Sequence, residues 1–149
     1  MKMFNDSGML ELTFFGKSVL ATVVLGLAVL QVIAISIARG WIGNYSANTR
    51  VWATKLHRFQ GYTALVIILF VAYNCVFVLG LPRSAVARVI VHALLGVTVL
   101  LLLVKKIVIA RVFRRYYNWL PYLGMTLVAA LTSLWITSAG WYFYNEWFG

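Results

Sequence analysis

The chain has 149 residues, of which 63% are apolar and only 11% charged, with six Trp and a formal net charge of +10. That composition lies outside the range of soluble domains. It excludes a soluble all-helical bundle, whose helices need polar faces that these segments do not carry.

Residues 18–38 form the first uncharged stretch, long enough to cross about 30 Å of hydrocarbon at about 1.5 Å per helical residue. Its apolar run exceeds a secretory h-region, and Asp6 and Glu11 precede it where a basic n-region belongs, so it reads as a retained span. Gly40 follows it as a helix stop. Residues 40–56 read as the one long connection, lying in the membrane interface through Trp41, Tyr45 and Trp52.

The second uncharged stretch, 59–82, closes at Gly80-Leu81-Pro82. The third apolar segment, 89–104, is shorter, but residues 107–110 continue it and the flanking Arg88 and Lys105 can snorkel to the interface. The fourth stretch, 116–145, has Pro121 where an early helical turn tolerates a missing amide. Tyr116, Tyr117, Trp119, Trp141, Tyr142, Tyr144 and Trp147 are further candidates for the aromatic belts.

The predicted fold is therefore all-α: an integral membrane four-helix bundle forming a single transmembrane domain, with helices at about 18–38, 58–80, 86–110 and 120–144. Arg39, Arg50, Lys55 and Arg58 flank one connection, and Lys105, Lys106, Arg111, Arg114 and Arg115 another on the same side. Lys2, Lys17, Arg83 and Arg88 lie on the opposite side with the acidic residues, so the positive-inside bias places both termini outside.

These cations follow the membrane edges without a nucleic-acid-binding motif, so nucleic acid is not an expected partner. Membrane lipids are, because the basic run from Lys105 to Arg115 attracts anionic headgroups by about 1 kcal/mol per cation. The single cysteine, Cys75, offers no disulfide or zinc pair and reads as a small buried hydrophobe.

The only two histidines share one pattern: HRFQGYTAL at 57–65 and HALLGVTVL at 92–100. A glycine four residues after a histidine lies on the same helical face and leaves a notch one turn away, at Gly61 and at Gly96, where a flat ring could rest. The same small positions also let neighbouring membrane helices approach with no cofactor at all. His57 at the start of the second helix and His92 inside the third differ in depth by about 25 Å, so one haem cannot bridge them.

Polar residues inside hydrocarbon are costly and usually have a partner or a function, which makes His92 the sharper candidate. Two readings stand: a hydrogen bond between His92 and Asn74, or axial ligation of a b-type haem by His92, the second ligand coming from another subunit or the position being left open. His57, beside Arg58, reads as solvated, or as a ligand with Met125 opposite it. Lys106 lies close to the face of His92 and can meet a haem propionate or a lipid phosphate.

The runs GKSVLATVVLGLAVLQ, LHRFQGYTALVIILFVAYNCVFVLG, RVIVHALLGVTVLLLLVKKIVIAR and LWITSAGWYF together resemble an uncharacterised family of small four-helix bacterial membrane proteins, similar in outline to cytochrome b561-like bundles. The resemblance implies a multi-pass protein of the bacterial cytoplasmic membrane. It also implies a histidine at position 74, paired with His92 around a haem near the outer face. This chain has asparagine there, and an amide is not a usual haem ligand.

Two function classes follow. One is a cytochrome b-like subunit that binds haem b and passes electrons within a larger membrane complex; the other is a cofactor-free accessory subunit packed against other membrane proteins. A transporter is less favoured, because only Gln31, Asn74 and His92 approach the midplane. With no HExxH, cysteine cluster or phosphate loop, independent catalytic activity is not expected.

Overall fold

A computed structural model describes residues 14–78 and 87–148, and among these there is no strand. Helix α1 spans Phe14–Arg39 and α2 spans Ala47–Tyr73, continued by a π-helical turn at Asn74–Val78. Helix α3 spans Ala87–Arg111, a 3-10 turn covers Arg114–Trp119, and α4 runs Leu120–Trp135 into a second π-helical turn, Ile136–Gly140, and α5, Trp141–Phe148. Among the described residues, four lengths are long and apolar enough to cross a membrane: Phe15–Arg39, Ala47–Phe77, Ala87–Arg111 and Leu120–Phe148. The expected stop at Gly80 to Pro82, together with Arg83 and the acids Asp6 and Glu11, lies outside the described residues.

Helix α2 begins about ten residues earlier than its uncharged stretch predicts, so most of the expected interfacial loop is helix. The cause is local. Ser46 adopts extended φ/ψ and its Oγ accepts from the Thr49 amide at 3.3 Å, an N-cap that starts the helix here. Helix α1 ends in a Schellman motif, in which the Gly40 amide donates to Ile37 O and the Trp41 amide to Ser36 O at 3.0 and 2.9 Å. Gly40 takes φ +71° there, and the Arg50 guanidinium lies over it, near the negative end of the helix dipole. Three cations stack on tryptophans near helix ends: Arg39 on Trp41, Lys55 on Trp52 and Arg88 on Trp141, at 5.2 to 5.3 Å.

Helices α1 and α2 make the closest pair. Their facing sides are built of small residues, with Ala28, Ala34 and Ser36 buried on α1 and Ala53 and Ala64 on α2, which lets the backbones approach. Helix α4 packs on α1 and on α3, while the α2 and α3 backbones stay apart. The bundle centre is a cluster of Val24, Ala28, Val99, Leu127 and Leu131, with Ile67 and Leu103 against it. Most other large apolar side chains face outward, as a lipid-facing surface does.

Candidate functional site

The interior of α3 carries one stripe, His92, Gly96, Val99, Leu103 and Lys106, whose spacings return to the same helical face. His92 marks one end and Lys106 the other, fourteen residues and about 21 Å apart. A polar group sits at each end, and Val99, 1% exposed, lies between them.

At the His92 end, ring atom Nδ1 is buried and has no hydrogen-bond partner. Gly96 lies one turn along, and a Cβ added there would meet nothing within 4 Å, so the space at this glycine is open. One turn the other way, Arg88 stacks on Trp141 of α5 at 5.2 Å. The hydrogen bond expected between His92 and Asn74 does not run through His92 Nδ1, which has no partner. Asn74 is fully buried, and its Nδ2 donates instead to Phe70 O of its own helix at 3.1 Å. The asparagine opens the π-helical turn of α2, and π turns cluster at functional positions.

The second π turn, Ile136–Gly140, packs on α1 and α3 and buries Ala139 to 1%. It coincides with the LWITSAGWYF stretch. Trp135 before it donates from Nε1 to Thr22 Oγ1 at 2.9 Å, tying α4 to α1, and its ring lies 3.1 Å from where a Gly140 Cβ would stand. Neither π turn is readable from hydrophobic period; Gly140 between two tryptophans was the available signal.

The His57 end is built differently. Since α2 starts at Ala47, His57 stands about 15 Å along the helix, and it is part-buried. Its Nδ1 lies 3.1 Å from the backbone oxygen of Gln31 on α1. A carbonyl oxygen only accepts, so Nδ1 carries the proton and the lone pair sits on Nε2. The Gly61 notch faces a neighbour here: a Cβ on Gly61 would stand 3.7 Å from Gln31 Oε1. Met125, expected as a counterpart, is 67% exposed on the outside of α4, so the structure does not bring it to His57.

Lys106 Nζ lies 3.9 Å from the position of a Gly124 Cβ on α4. Gln60, one turn from His57, is 7% exposed with Oε1 unpartnered. No cluster of three or more His, Cys, Asp or Glu is found among the described residues.

Four apolar helices with two polar interior ends define a small helical bundle of the membrane-spanning kind. The family of unknown function DUF6529 matches residues 4–148, nearly the whole chain, and the protein belongs to that family. No curated protein and no solved structure matches it.

Proposed function

We propose that the chain is a small multi-pass subunit of a bacterial cytoplasmic membrane that holds one b-type haem on His92, in a cytochrome b-like role within a larger complex. The observation that carries this reading is the buried, unpartnered Nδ1 of His92 beside the open notch at Gly96. An orphaned imidazole is costly in an apolar setting and gains most from a ligand that occupies it. His92 would hold the group and Gly96 would leave room beside it, while Asn74 Nδ2 donates to Phe70 O. The second ligand comes from another subunit, or the position stays open.

When bound, such a group supplies one-electron chemistry at its metal. The protein's part is to hold and enclose it. Arg88 stacked on Trp141 closes the α3 end, and Trp135 bonded to Thr22 fixes α4 against α1. The distribution of cations supports both termini outside and Lys106 on the cytoplasmic side, so His92 lies toward the outer face.

The deciding experiment is an absorption spectrum of the purified full chain, oxidised and then reduced with dithionite. The expected result is a Soret band with sharp reduced bands that His92→Ala abolishes. A colourless, folded preparation overturns the reading.

The second reading, a cofactor-free accessory subunit, is favoured by the inner pattern, where His57 and Gly61 are both spent on Gln31 in helix packing. It expects stoichiometric partner subunits after purification in mild detergent, and a monodisperse chain without companions counts against it.

A further inference from the structure

Helix α2 carries an orphan acceptor one turn from the lone pair of His57. Gln60 is 7% exposed, and its Oε1 is buried with no hydrogen-bond partner. His57 lies three residues before it, so the two side chains are neighbours on one side of the helix. The Nδ1 proton of His57 is spent on Gln31 O at 3.1 Å, which leaves Nε2 able only to accept. An imidazole lone pair and a carbonyl oxygen cannot bond to each other, so both call for a donor from elsewhere. Leaving a buried acceptor without one is costly in an apolar setting.

The surroundings limit what that donor can be. Ala53 and Ala64 are buried on α2, one turn before His57 and one turn after Gln60, and Ala28 is buried on α1 about one turn before Gln31. These methyl groups bring the two helices close and offer no polar group of their own. Gly61, next to Gln60, has the Gln31 carboxamide against it, with Oε1 3.7 Å from where a Cβ would stand. A metal ion fits poorly, since the pair carries no anionic ligand and no cluster of three or more His, Cys, Asp or Glu is found among the described residues. The chemistry that fits is a small neutral molecule with two hydrogens to give. Water is the smallest, and a buried water typically makes about three hydrogen bonds to polar groups that lack other partners.

We infer that His57 Nε2 and Gln60 Oε1 share one buried water, with the Gln31 carboxamide as its third polar neighbour. The water gives one hydrogen to each acceptor, fixes His57 as the neutral Nδ1–H tautomer, and extends the joint between α1 and α2 by one turn. The site is independent of the haem reading, which rests on His92 of α3.

The test is NMR of the full chain in detergent, with the histidine nitrogens isotopically labelled; the chain has two histidines, and His92→Gln assigns them. His57 should show a protonated Nδ1, an unprotonated Nε2, and cross-relaxation with a water held longer than bulk. Gln60→Leu should abolish the water signal and keep the Nδ1 proton. No such signal in the wild type, an unchanged signal in Gln60→Leu, or a proton on Nε2 overturns the proposal. So does a direct coupling between His57 Nε2 and the Gln60 amide nitrogen, because the carboxamide would then be the donor. Thermal unfolding supplies a second measurement: Gln60→Leu should lower the midpoint in the wild type and lower it less in a His57→Leu background. A midpoint that rises in the wild type identifies a dry, unsatisfied oxygen, and equal losses in both backgrounds show that the two residues share nothing; either result overturns the site.

Discussion

His57 Nδ1 lies 3.1 Å from the backbone oxygen of Gln31, and the Gln31 side chain in turn reaches the surface of Gly61. One residue of α1 thus meets both elements of the motif on α2. The acceptor is backbone, so the bond should survive replacement of the Gln31 side chain but not of His57. His57→Leu is expected to destabilise the bundle by about 0.6 to 1.7 kcal/mol, the range for hydrogen bonds between membrane helices, and Gln31→Leu by less. Thermal unfolding of the two variants in one detergent distinguishes them; equal losses would show that the side chain, not the carbonyl, joins the helices.

Gly140 and Gly26 make a second contrast. A Cβ at Gly140 meets the Trp135 ring at 3.1 Å, whereas one at Gly26 meets nothing within 4 Å. Gly26→Ala should stabilise α1 by up to about 1 kcal/mol through helix propensity. Gly140→Ala should displace Trp135, weaken its bond to Thr22, and lower stability by about 1 to 3 kcal/mol before any gain in propensity. Tryptophan emission should change in the second variant and not in the first.

Filling the space at Gly96 tests the proposed haem site apart from folding. Gly96→Leu places a side chain into open space beside His92. It should keep the melting temperature while cutting the Soret absorbance several-fold, and His57→Ala should leave the absorbance intact. Loss of colour in His57→Ala with retention in His92→Ala would reverse the assignment of the two histidines.

The arrangement in the membrane is tested by labelling. In a Cys75→Ser background, single cysteines at Asn44, between α1 and α2, and at Phe113, between α3 and the 3-10 turn, both stand on exposed connections. Both are expected to react from the cytoplasmic side alone. Reaction from opposite sides would remove the even number of crossings on which the outward position of both termini rests.

The number of helices was legible because hydrophobic length is an almost sufficient signal in a chain this apolar. The start of α2 was not, since the uncharged run ends at Arg58 while the Ser46 cap carries the helix on through Arg50 and Lys55. That boundary places His57 within α2 rather than at its start. His92 was legible as a part-buried imidazole on the bundle-facing stripe of α3. The π turns were hidden because widening one turn leaves the apolar pattern on both sides intact. The contact from Gln31 to Gly61 was hidden because it depends on helix register, which no single helix records.

The separation of α2 from α3 has a mechanical consequence. The chain is two hairpin leaves hinged along α1 and α4: one leaf is sealed by small residues and by Arg50 over Gly40, while the free edges meet through the Arg111 to Tyr62 bond. Parting those edges breaks that polar contact and the packing of Ile67 on the cluster that holds Val99, but leaves the Val24, Leu127 and Leu131 packing in place, so fewer backbone contacts oppose this motion than one that parts α1 from α2.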